Sequence, residues 1–183
     1  MAKSRKHTKK LITTLVALTA AAVIISPRVM ANATQKKQFQ LFNEEDGTDI
    51  RVTFYTKKDS DKVIKQTTEN RIGYAALKES TGTDDLEVIK EQLSQVQKSY
   101  QDIKGVTETL TYRDHYVLEK VVIDYTKADP NKVVSLAGAQ SQASNPNAKV
   151  AYISYKSSSN ALKEQGFTEV KNGKFQTLKN VTK

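Results

Sequence analysis

TDDLEVIKEQLSQVQKSYQDI (residues 83–103) runs directly into KGVTETLTYRDHYVLEKVVIDY (residues 104–125), and the change of period between the two decides the fold. In the first segment Leu86, Ile89, Leu93, Val96, Tyr100 and Ile103 recur at spacings of three and four, drawing one apolar stripe along about five helical turns. Thr83 is the expected N-cap, and Asp84, Asp85 and Glu87 stand where the positive end of the helix dipole favours acids. Lys104 and Gly105 carry the matching C-terminal signals. From Val106 the period drops to two. Val106–Arg113 and Tyr116–Tyr125 read as strands, with Val117, Val121, Ile123 and Tyr125 on one face and Arg113-Asp114-His115 as the turn. The expected fold class is α+β: a mainly antiparallel sheet with one long amphipathic helix packed on a face and a short C-terminal helix.

Upstream, Asp49–Lys57 alternates cleanly, Ile50, Val52 and Phe54 against Arg51, Thr53 and Tyr55. Phe39–Asn43 precedes it across Glu44-Glu45-Asp46-Gly47, whose Asp-Gly step is a hairpin signal. Asp59-Ser60-Asp61 turns the chain into a third strand, Lys62–Arg71. Downstream, Pro130 opens a short helix through Leu136, and Gly138–Ala148 is small and polar, the composition of a loop. Val150–Tyr155 reads as extended, Ser158–Gln165 as a short helix with Gly166 after it, and Phe167–Val170 as a last strand. A lysine-dotted tail, residues 172–183, is expected to fray.

The leader has a different character. Lys3, Arg5, Lys6, Lys9 and Lys10 precede the apolar run Leu11–Ile25, then Ser26-Pro27 and Ala31-Asn32-Ala33, the three parts of a secretory signal peptide. A spanning helix wants roughly 20 apolar residues. This run has 15, three of them threonine, before Pro27 and Arg28 close it. Residues 1–33 are thus expected to be a signal peptide cut between Ala33 and Thr34, with Ala31 and Ala33 as its small-residue signature, ahead of a single domain at 34–171. The expected location is secreted or at the extracytoplasmic surface of a bacterium; the alternative is a membrane tether by an uncleaved signal anchor.

The leader holds six of the 29 Lys and Arg and no acid, so 23 basic face 20 acidic side chains in the remainder, a net of +3 rather than +9. The excess belongs to export, which argues against nucleic acid as a partner. Residues 34–183 have the length of one domain and bury enough surface to fold without staples, as they must, since the chain contains no cysteine.

DKVIKQTTENRI (61–72), YQDIKGVTETLTYRDHYVLEKVVIDYTKAD (100–129) and ALKEQGFTEVK (161–171), in this order of elements, resemble the YehR-like family of small bacterial extracytoplasmic lipoproteins. The likeness runs from about Ile50 to Lys171 and rests on fold-bearing positions such as Ile103-Lys104-Gly105-Val106 and Gly166-Phe167. The resemblance implies no catalytic residue. It does imply a lipid-modified cysteine after the signal peptide, which this chain lacks, leaving secretion or a signal anchor.

Chemistry-bearing patterns are sparse. Beyond the leader the chain has one histidine, His115, with neither a second His nor a Cys to make a metal site. No G-x-S-x-G elbow accompanies Asp114-His115, and the seven glycines form neither a G-x-G-x-x-G motif nor a P-loop. Glu44, Glu45, Asp46 and Asp49 do not follow calcium-loop spacing. The eight tyrosines, Tyr112, Tyr116, Tyr125, Tyr152 and Tyr155 among them, suit either strands or a recognition surface. No catalytic residue, metal or cofactor is implied. The expected function is a non-enzymatic, monomeric binding or interaction module of the cell envelope, its partner an envelope protein or ligand. The alternatives are a hydrolase working through two carboxylates alone and a structural or stress-related envelope protein with no small ligand.

Overall fold

The computed structural model describes residues 22–23, 33–45, 47–136 and 149–179. The fold is α+β. Six antiparallel strands, β2 (Thr34–Asn43), β3 (Thr48–Lys57), β4 (Val63–Gly73), β5 (Val106–Tyr112), β6 (Tyr116–Asp124) and β8 (Thr168–Val170), form one sheet in the order β5-β6-β4-β3-β2-β8. Among the described residues four helices accompany them: α1 (Tyr74–Thr81), α2 (Leu86–Gln101), α3 (Pro130–Leu136) and α4 (Tyr155–Glu164). A two-residue ladder joins β1 (Ala22–Val23) to β7 (Tyr152–Ile153). The expected loop at 138–148 and most of the leader lie outside the described residues.

The period-two reading places the core. Phe54, Gln66, Ile123 and Val106 face one another across four strands, as do Val52, Thr68, Val121 and Glu108 in the next row and Ile50, Asn70, Glu119 and Leu110 in the third. The apolar members of these rows meet the helices in two clusters. Phe39, Ile50, Val52, Phe54, Val121 and Ile123 pack with Tyr100, Val133, Val134 and Leu162, while Ile72 and Val117 pack with Ala76, Leu77, Ile89 and Leu93. The stripe on α2 therefore spans both clusters and is buried against the sheet.

The boundaries differ from expectation for identifiable reasons. Helix α2 begins at Leu86, and its N-cap is Asp85, not Thr83: the Asp85 carboxylate accepts from the Glu87 and Val88 amides at 2.9 and 3.4 Å. A full negative charge at this end complements the dipole better than a hydroxyl; Thr83 stands two residues outside, accepting from the Asp85 amide at 3.2 Å. Strand β2 extends back to Thr34 because Thr34–Lys37 pair with Phe54–Lys57, although that stretch has no apolar alternation of its own. Helix α1 gave no local signal: its N-cap is Gly73, without a side-chain cap, and no acid occupies its first turn. The C-terminal helix starts at Tyr155, where Ser154 accepts from the Ser157 amide at 3.1 Å and Asp61 accepts from the Lys156 amide at 2.7 Å.

Candidate functional site

Two arrangements of polar side chains stand out, one inside the molecule and one on its surface. The inner one lies at the join between the two apolar clusters, where Glu119 sits between Val117 and Val121 on the core face of β6. The Asn70 carboxamide donates a short hydrogen bond to Glu119 from directly across the ladder. Glu108 on β5 and the Tyr100 hydroxyl on α2 complete the group, and Glu108 and Glu119 are only 3% and 2% exposed. Two such carboxylates cannot both ionise in this surrounding. Burial raises both, and the neighbouring Glu108 raises Glu119 further, so Glu119 keeps its proton well above the ordinary glutamate range. Desolvation pushes the Tyr100 hydroxyl up as well. Chemically this is a pair of buried carboxyl groups, sealed under α2. It is out of reach of any substrate.

The outer arrangement is on the opposite face of the sheet. Here the side chains of Gln38, Thr53, Thr67 and Val122 form one row, and those of Gln40, Arg51, Glu69 and Lys120 the next. The buried apolar side chains of these four helices belong to clusters on the other face. What crosses this face is the lysine-dotted tail. The Gln40 carboxamide grips the backbone of Gln176 from both sides, donating to its carbonyl at 2.9 Å and accepting from its amide at 2.8 Å. The Arg51 guanidinium donates to the same carbonyl at 3.2 Å and lies 4.8 Å from the centre of the Phe175 ring. Further along, the Lys179 amide donates to Glu44 at 2.8 Å.

Phe175 thereby becomes one wall of a shallow depression of about 240 Å³, lined also by Gln38, Thr53, Thr67, Glu69 and Lys120. Its charges are paired among themselves: Lys120 with Glu69 at 3.0 Å, and Arg51 with Asp49 at 2.6 Å. Neighbouring cations stack on aromatics, Arg71 over Tyr116 at 4.1 Å and Lys65 over Tyr55 at 5.5 Å.

The residues singled out from sequence do not converge here. His115 and Asp114 are exposed in their hairpin turn. Asp49 is buried against Arg51 and Gln40, Glu44 meets the tail, and Asp46 lies outside the described residues. Among the described residues no group of three or more His, Cys, Asp or Glu is placed to hold a metal ion. The tyrosines divide between core and surface: Tyr125 is buried, donating to Gln66 at 3.2 Å, and Tyr155 packs against Phe39 and Phe54, whereas Tyr112 is 38% exposed. Of the cleavage signature, Ala31 lies outside the described residues. Ala33 is exposed and accepts from the Lys58 amide at 2.9 Å, and Thr34 opens β2, so every residue of the six-stranded sheet lies beyond the expected cut. Among the described residues no helix is long and apolar enough to cross a membrane.

The sequence profile of a family described as "Protein of unknown function (DUF1307)" matches residues 35–168. The chain is 32% identical over 165 residues to the uncharacterized lipoprotein Lin0239 of Listeria innocua, covering 90% of this chain and 98% of that protein. It is 30% identical over 158 residues to the uncharacterized lipoprotein YehR of Escherichia coli, covering 86% and 96%. The NMR structure of E. coli YehR superposes with a TM-score of 0.59 at 30% identity, over 79% of this chain and 96% of that one.

Proposed function

For this chain, which belongs to the DUF1307 family of proteins of unknown function and is YehR-like, we propose the role of a non-enzymatic binding module outside the cytoplasm, which meets its ligand with the open face of its sheet. The leader and the lipoprotein names of the relatives support the location. Lacking cysteine, the chain has no thiol to carry a lipid, so its attachment to the envelope is through what it binds or through an uncleaved leader.

The observation that carries the binding role is the ordered polar surface around Gln38, Thr67 and Lys120, which no helix among the described residues covers and which Phe175 walls. Rigid strands hold these groups in fixed register, which limits the ordering cost of recognition. The carboxylate-only hydrolase loses support because Glu69 is the acid that lines the depression and it is tied to Lys120, whereas the close acid pair is sealed in the core.

Photo-crosslinking in intact envelopes tests the reading. A photoreactive residue at Thr67 should capture an envelope component, and the same residue at Gln92, exposed on α2, should not. Capture from Gln92 alone, or from neither site, would reject the open face.

A further inference from the structure

We propose that the depression beside Phe175 is a subsite for one ring of a neutral saccharide chain. The inference rests on the reading of the open face as the binding face and adds the chemical class of what binds there.

Three features of the depression select that class. The first is charge. Lys120 is paired with Glu69 at 3.0 Å and Arg51 with Asp49 at 2.6 Å, so each cation lining the depression is already balanced by a carboxylate. A site with its charges balanced in this way favours an uncharged ligand over an ionic one. The second is the kind of polar group on offer. Thr67 presents a hydroxyl and Gln38 a carboxamide, each able to donate and to accept, with the buried Thr53 hydroxyl accepting from Gln38 at 3.5 Å behind them. Vicinal sugar hydroxyls have the same dual character, and they match such a row better than a phosphate or carboxylate, which only accepts. The third is Phe175, a half-buried aromatic wall against which the C–H face of a pyranose ring can lie.

Size and construction agree with this assignment. At about 240 Å³ the depression is smaller than the roughly 300–1,000 Å³ pockets that engulf a drug-sized ligand, which suits one ring of a longer chain passing over an open surface. The aromatic wall is held in place, because Gln40 grips the Gln176 backbone with two hydrogen bonds and Arg51 adds a third. The tail is thus a part of the site that the chain supplies from more than 120 residues away from the strands it crosses.

The test is an NMR titration of the ¹⁵N-labelled exported protein with an uncharged probe, the β-1,4-linked tetramer of N-acetylglucosamine, alongside the tetramer of galacturonic acid as its charged counterpart. The neutral oligomer should give saturable shifts centred on the amides of Thr53, Thr67, Lys120 and Phe175. Phe175→Ala should weaken it by about tenfold while leaving the melting temperature unchanged, and Thr67→Val should weaken it without moving the Phe175 amide in the free protein. Absence of shifts with the neutral oligomer at millimolar concentration overturns the assignment, as do preference for the charged oligomer and binding that survives Phe175→Ala. If the titration fails while crosslinks from Thr67 persist in the envelope, the saccharide class is wrong and the open face stands. If both fail, the open face falls as well.

Discussion

Glu119 shows how a single side chain can be legible by position and unreadable by chemistry. The alternation through Val117, Val121 and Ile123 puts residue 119 on the core face, yet a glutamate there carries no local sign of the Asn70 and Glu108 that receive it. Its stability consequence has a definite sign. The folded state holds the Glu119 proton above the ordinary glutamate value of 4.5, and the unfolded chain releases it near that value. As pH rises from there toward the folded pKa the native state binds the extra proton, so stability falls with pH, by up to about 1.4 kcal/mol per unit. Glu119→Gln keeps a neutral group of the same shape, and should flatten that slope in urea melts taken at several pH values. An unchanged slope would place the titrating group elsewhere. Gly105 is a second residue with a calculable role. Its φ is +84°, and a Cβ there would lie 2.9 Å from the Ala128 nitrogen and the Asp124 carbonyl oxygen. Gly105→Ala should cost at least the about 1–2 kcal/mol of a left-handed alanine, with the backbone clash added, which thermal or urea melting would register.

Among the elements, those with strong periodicity were legible and those held by distant partners were not. Helix α2 and strands β3, β5 and β6 follow from spacing alone, and α3 matches Pro130–Leu136. Helix α1 and the first half of β2 have no such pattern. One is placed by Ala76 and Leu77 packing on Ile72 and Val117, the other by its ladder to β3. The outer site escaped for a related reason: its aromatic wall comes from the tail, and the Gln40–Gln176 pairing spans 136 positions of sequence. For α2 the burial of the stripe makes a direct prediction. Leu93, 9% exposed within its cluster, should cost about 2–5 kcal/mol as Leu93→Ala. Gln92→Ala on the exposed side should stay within about 0.5 kcal/mol. It is a cleaner control than Lys90, whose side chain pairs with Glu87 at 2.7 Å and whose carbonyl accepts from Tyr112 at 3.3 Å. Asp85→Ala, which removes the cap, should cost about 1 kcal/mol. Equal melting of Leu93→Ala and Gln92→Ala would mean that the stripe is not packed as described.

Across the whole fold, the four described helices and the apolar rows occupy one side of the sheet, and the outer threonines, paired charges and tail the other. That division is what gives an exported chain without cysteine both a core sufficient to fold and a rigid surface to offer. If the open face is the binding surface, lysine acylation footprinting will register it. Lys65 and Lys120 are exposed on the open face, and Lys98 is exposed on α2. Comparing their reactivity in the purified protein and in intact envelopes should show Lys65 and Lys120 protected in the envelope and Lys98 unchanged. Protection of Lys98 with Lys65 and Lys120 left reactive would overturn the open face as the binding surface and place that surface on the helices.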